Sequence, residues 1–145
     1  MRDLNSQKNT ISFLKYGVFL FAVLIGIDQF SKSFIKNPFL NDRFAFSLPI
    51  PTNLIYVIYV LVITSIIYYI VNNYKNFSNL TLFSWILILA GAFSNIGERI
   101  IFGSVKDWIY LLNGIFNLAD FYIILGILIL LLQKNKVSSS QVSKP

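Results

Sequence analysis

The chain has no cysteine and no histidine. Without cysteine there is no disulfide framework, no thiolate metal centre, no thioether haem attachment and no thiol nucleophile. Without histidine a Ser-His-Asp triad is excluded. Acid–base chemistry near neutral pH is left to Asp, Glu, Lys and Tyr. Charge is scarce as well. Only 12% of the 145 residues are charged and 56% are hydrophobic, whereas roughly a quarter of a soluble domain is charged. By length the chain is one domain, but most of its apolar surface would find no soluble core, and membrane embedding is the simplest account. The net charge of +6 then reflects topology and anionic lipid. No Lys/Arg run or aromatic-basic face points to nucleic acid. No motif calls for a metal or a cofactor.

Four apolar runs are present: Phe13 to Ile27, Leu54 to Val71, Leu80 to Phe93 and Phe116 to Leu132. A bilayer span needs ~20 residues, with ~17 as the low end. The second and fourth runs qualify as they stand. The first needs Lys15 to snorkel and the helix to continue past Asp28. The third needs Ser94 to Gly97. A basic start and apolar core resemble a signal peptide, but no A-x-A-like site follows, so the first run reads as a retained span. Between runs one and two, Phe44, Phe46, Leu48 and Ile50 alternate with other residues, which predicts a short strand. Pro49 and Pro51 confine that strand to an edge. The expected fold is therefore an all-α membrane protein of four transmembrane helices with a small extracytoplasmic β-element. Residues 1–137 form the membrane domain and 138–145 a disordered polar tail.

Four spans place both termini on one side. That side holds seven of the 12 basic residues, which favours cytoplasmic termini. Asp28, Asp42, Glu98, Asp107 and Asp120 all fall on the opposite side, with only Asp3 among the termini. Acids contribute little to orientation, so their clustering suggests a polar site at the outer rim.

Asp120 lies one turn into the fourth run, where a charge costs up to roughly 2.5–3.5 kcal/mol at a helix centre and less near an end. Asp107 precedes it by thirteen positions, followed by apolar "WIYLL". If that segment folds back, the two carboxyls meet and share one proton. The charged member then takes a proton from water while the neutral one donates. The plainer reading is two separate carboxylates, one solvated and one paired with Arg99 or Lys106. In "DQFSK", Asp28 and Lys32 stand four apart on one helical face, an ion pair closing span one or, alternatively, a lipid-headgroup contact. "GAFSNIGERIIFG" joins small residues, which permit close packing in membranes, to Asn95, Glu98 and Arg99. Ser31–Lys32 and Ser104–Lys106 are candidate Ser-Lys dyads, and neither has a visible buried context.

Together these segments resemble the lipoprotein signal peptidase (signal peptidase II) family, over nearly the whole chain apart from its tails. "DQFSK" resembles D-Q-x-x-K. "NDRFAFS" resembles N-x-G-x-A-F-S, matching Asn41, Ala45, Phe46 and Ser47. "SNIGERIIFGSVKDW" resembles G-N-x-x-D-R-x-x-x-G-x-V-x-D-F/W, matching Asn95, Arg99, Gly103, Val105 and Asp107. "FNLAD" matches F-N-x-A-D through Phe116, Asn117, Ala119 and Asp120. Arg43, Phe44, Ser94 and Glu98 depart from the pattern, and the segment between the aspartates is short. The resemblance implies a membrane aspartic endopeptidase in the bacterial inner (cytoplasmic) membrane, with its active site toward the outer leaflet. Such an enzyme removes the signal peptide of a diacylglyceryl-modified prolipoprotein, cutting before the lipidated cysteine. Asp107 and Asp120 would be the catalytic pair. Asn41, Asn95, Arg99 and Asn117 would bind substrate or support the site, and Asp28 and Lys32 would form a structural ion pair. Expected partners are the lipidated substrate and membrane lipids, and nothing demands more than a monomer. The departures leave a non-catalytic paralogue that binds lipopeptides or membrane partners as the alternative.

Overall fold

The computed structural model describes residues 2–42, 50–112 and 114–142, with side chains for 15–42, 50–51, 53–112 and 114–133. Four helices account for most of it: α1 (Arg2–Ser33), α2 (Thr52–Asn73), α3 (Asn79–Phe102) and α4 (Leu118–Val142). Four short strands lie between them: β1 (Phe39–Asn41), β2 (Val105–Asp107), β3 (Ile109–Leu111) and β4 (Gly114–Phe116). The alternating stretch from Phe44 to Leu48 falls outside the described residues, and the observed strand β1 precedes it. α4 includes residues 138–142 of the expected tail.

Helix limits follow from local chemistry. α1 runs through Asp28 and Lys32, and α3 runs on past Ser94 to Phe102. Ser78 caps α3, its hydroxyl oxygen accepting from the Thr81 N–H at 3.1 Å and so satisfying one otherwise unpaired donor. α3 stops at Gly103, which adopts a left-handed conformation (φ 75°) while its N–H donates to Arg99 O. Glycine reaches that region without a Cβ clash, and the chain turns directly into β2.

Among the described residues, two helical stretches, Asn53–Asn76 and Asn79–Phe102, are long and apolar enough to cross a membrane. At 24 residues each is about 36 Å long, against a hydrocarbon core of about 30 Å. Leu118–Gln133 forms a shorter apolar stretch. Many large apolar side chains point outward, including Phe19 and Phe30 of α1, Val60 and Leu61 of α2, and Leu128 and Leu131 of α4.

The tightest packing joins α3 to α4. A Cβ at Gly91 would collide with the Ala119 carbonyl oxygen, and one at Gly126 would stand 2.6 Å from Ser84 O. Small residues therefore let the two backbones approach. They bring the first turn of α4 against α3, one helical turn before Asn95.

The strands form two antiparallel pairs. In β1–β2, Phe39 faces Asp107 and Asn41 faces Val105. In β3–β4, Ile109 faces Phe116 and Leu111 faces Gly114. Trp108 N–H donates to Phe116 O at 2.9 Å, joining the end of β2 to the hairpin. The segment between Asp107 and Asp120 thus doubles back as a hairpin before entering α4.

Candidate active site

Strand periodicity places Asp107. Side chains alternate between faces, and in β2 Val105 and Asp107 are buried while Lys106 is half-buried. Asn41 pairs with Val105 in the ladder, so Asp107 is its diagonal neighbour on the same face. Asn41 Nδ2 donates to Asp107 Oδ2 at 2.8 Å. Asn117 Nδ2 donates to Asp107 Oδ1 at 2.6 Å.

Helix capping places Asp120. Asn117 precedes α4, and its Oδ1 accepts from the Asp120 N–H at 3.0 Å. Asp120 Oδ2 reaches back to accept from the Asn117 N–H at 3.1 Å. This reciprocal arrangement is a capping box built from Asn and Asp. Asp120 Oδ1 accepts from Asn95 Nδ2 at 2.9 Å. Each oxygen of both carboxyls therefore receives one N–H, and Asn117 touches the two together.

Asp107 is 2% exposed and Asp120 is half-buried. Burial pushes the Asp107 carboxyl above its ordinary range. The hydrogen bonds from Asn41 and Asn117 oppose this, the Asp120 charge adds to it, and the Lys32 charge opposes it. The reading of two unrelated carboxylates, one solvated and one paired with Arg99 or Lys106, is not the geometry observed.

Beneath the pair lies a buried ionic cluster. Lys32 Nζ is 2.7 Å from Asp28 Oδ2 and 2.8 Å from Glu98 Oε2, and all three side chains are buried. The Asp28–Lys32 pair is thus enclosed by α3 and the start of α4. Asp28 Oδ2 also accepts from Ser94 Oγ at 2.6 Å, and its Oδ1 accepts from the Ala119 N–H at 3.0 Å. A carboxylate on that first-turn donor complements the positive end of α4. Arg99 Nη1 donates to Tyr59 Oη at 3.1 Å, with the guanidinium 5.7 Å from the Tyr59 ring centre. Tyr56 donates to Arg99 O at 2.8 Å, so α2 is fastened to α3 at Arg99.

Sequence reasoning did not reach Glu98 as the third member of the cluster, Ser94 as a ligand of Asp28, or Tyr59 beside Arg99. Glu98 is sixty-six positions from Lys32, and no spacing rule connects them. The Asn-x-x-Asp capping box was open to a sequence reading, because its residues share one helical turn.

Comparison with known proteins shows the family. The family model described as signal peptidase (SPase) II matches residues 20–135. A lipoprotein signal peptidase of Caldicellulosiruptor bescii is 47% identical over 58 residues, spanning 39% of each chain. One from Streptococcus thermophilus is 40% identical over 76 residues, spanning 50% of this chain and 49% of that one. These two alignments thus cover less than half of the relatives' lengths. One from Pelodictyon phaeoclathratiforme is 30% identical over 148 residues, spanning 93% of this chain and 84% of that protein. Among solved structures, a bacterial membrane enzyme shares the fold with a TM-score of 0.77 at 18% identity, over 92% of this chain and 95% of that one. With the family model covering most of the chain and one relative aligned along nearly all of it, the protein belongs to the signal peptidase II family.

Proposed function

We propose that the protein is a membrane aspartic endopeptidase. It removes the signal peptide from diacylglyceryl-modified prolipoproteins, cutting before the lipidated cysteine. The observation that carries this reading is the joint attachment of Asp107 and Asp120 to Asn117. Family membership supports the substrate class.

In the proposed reaction the pair titrates as a unit with one shared proton. The charged carboxylate takes a proton from a water whose oxygen bonds to the scissile carbonyl carbon. The neutral carboxyl gives its proton to the carbonyl oxygen. In the second step the diol returns a proton, the C–N bond breaks, and the other carboxyl protonates the leaving amine. Asn41, Asn95 and Asn117 keep the carboxyl planes fixed, and Arg99 supports the wall formed by α2 and α3.

The same reading has all four helices crossing the bacterial inner membrane, with termini cytoplasmic and the strands at the outer leaflet. Outward-facing apolar side chains on α1, α2 and α4 support it. Because the native chain has no cysteine, single-cysteine variants report topology without background. A cysteine at Ser78 should react with impermeant reagents only from the cytoplasmic side, and one at Lys36 only from the outer side. The activity test is cleavage of a lipidated prolipoprotein by purified protein in lipid nanodiscs, with the unlipidated substrate as control. Cleavage that needs the lipid supports the reading. Binding of the lipopeptide without cleavage favours the non-catalytic paralogue.

A further inference from the structure

Lys32 is 1% exposed, and its ammonium carries three donors and no acceptor. Three acceptors meet it: Asp28 Oδ2 at 2.7 Å, Glu98 Oε2 at 2.8 Å and Asn95 Oδ1 at 3.3 Å. A side-chain amide has one accepting end and one donating end. With Asn95 Oδ1 turned to the ammonium, its Nδ2 is turned to Asp120 Oδ1 at 2.9 Å. Glu98 Oε2, which holds the same ammonium, also accepts from the Lys106 backbone N–H at 3.3 Å, one residue before Asp107. Two hydrogen-bonded paths therefore leave Lys32, one ending on Asp120 and the other on the strand that carries Asp107.

We infer that Lys32 is a positioning residue for the carboxyl pair, orienting the Asn95 amide so that Asp120 meets a donor and anchoring β2 through Glu98. The role in turnover rests on the peptidase reading, whereas the orientation of Asn95 does not. Without the ammonium, the Asn95 amide can turn over and present Oδ1 to Asp120, an arrangement that a neutral, proton-donating carboxyl accepts and a carboxylate resists. The titratable and charged groups facing Asp120 are Lys32 of α1, Tyr59 of α2, Arg99 of α3 and Asp107 of β2.

Replacing Lys32 alone leaves Asp28 and Glu98 uncompensated and endangers the fold. The decisive variant is therefore Lys32→Met/Glu98→Gln, which removes one charge of each sign. The full chain in nanodiscs is followed by carbon-13 carboxyl NMR, with Asp107→Asn and Asp120→Asn assigning the signals. The Asp120 midpoint should rise by about one pH unit, a ~10-fold shift in its proton affinity. Lys32→Arg should leave it near its native position. In an Asn95→Ala background the double change should shift it far less. An unmoved midpoint, or an equal shift with and without Asn95, overturns the inference. On a lipidated prolipoprotein, kcat should fall ~10–10²-fold with KM within about threefold, and an unchanged kcat also overturns the role in turnover. If the native protein cleaves nothing while the titration behaves as expected, the peptidase reading fails and the orienting role of Lys32 stands.

Discussion

α2 and α3 are alike in length, 22 and 24 residues, and both pass the test of a membrane span. Their surroundings differ sharply. Among its described side chains α2 buries only Ile55, whereas α3 buries twelve residues, five of them the polar Ser84, Ser94, Asn95, Glu98 and Arg99. α3 touches α1, α2, α4 and β2, while α2 packs chiefly against α3. Hydropathy decides which medium a helix tolerates. Neighbours decide whether it can keep polar groups, because each buried polar atom needs a partner. α2 contributes to the site through Tyr56 and Tyr59, which reach Arg99.

The contrast is most severely tested at the carboxyls that α3 helps to hold. Asp107→Asn or Asp120→Asn should lower turnover of a lipidated substrate by at least ~10²–10⁴-fold, with helical circular dichroism unchanged. Near-native turnover in either variant would remove the pair from the mechanism.

The cluster beneath should give the largest stability effect. Lys32→Met strips two buried carboxylates of their counter-charge and should cost about 3–5 kcal/mol, measured by reversible unfolding in mixed micelles. A loss no larger than that of an exposed ion pair would mean that water reaches the cluster.

Packing between α3 and α4 comes next. Gly91→Val drives a side chain into the Ala119 carbonyl and should cost about 1–3 kcal/mol by overpacking. Activity should fall further than stability accounts for, since Ala119 neighbours Asp120. On α2, by contrast, the outward Val60→Leu should change stability by under about 0.5 kcal/mol. If both substitutions cost the same, the asymmetry between the helices is not real.

A smaller effect appears as a dependence on pH. The folded-state pKa of Asp107 is raised, chiefly by burial, so its contribution to stability is fully present below the unfolded carboxylate range and is lost as pH rises through the raised value. Unfolding free energies of the native protein and Asp107→Asn, measured against pH, should therefore move in favour of the variant as pH rises through that window. A gap independent of pH would show that Asp107 ionises as freely when folded as when unfolded.

Much of the helical frame was readable along the chain. The second apolar run marks α2 as it stands, the third marks α3 once it is carried past Ser94, and four-residue spacing joins Asp28 to Lys32 within α1. The strand expected near Phe44 lies outside the described residues, and β1 at Phe39–Asn41 has too short a pattern to announce itself. Motif order directed attention to Asp107, Asp120, Asn95 and Asn117. The hydrogen bonds among them came from pairings between distant segments, such as Asn41 with Asp107 and Asn95 with Asp120.

Composition and periodicity by themselves determined an apolar, largely helical chain whose few acids gather toward one end, because hydrophobic length and local spacing are properties of neighbouring residues. Only the folded structure decided that Gly91 lets α4 close on α3, that Asn117 grips two carboxyls, and that Glu98 completes the pocket of Lys32. Those are contacts between segments far apart in the chain, fixed by backbone approach and by the need of every buried charge for a partner.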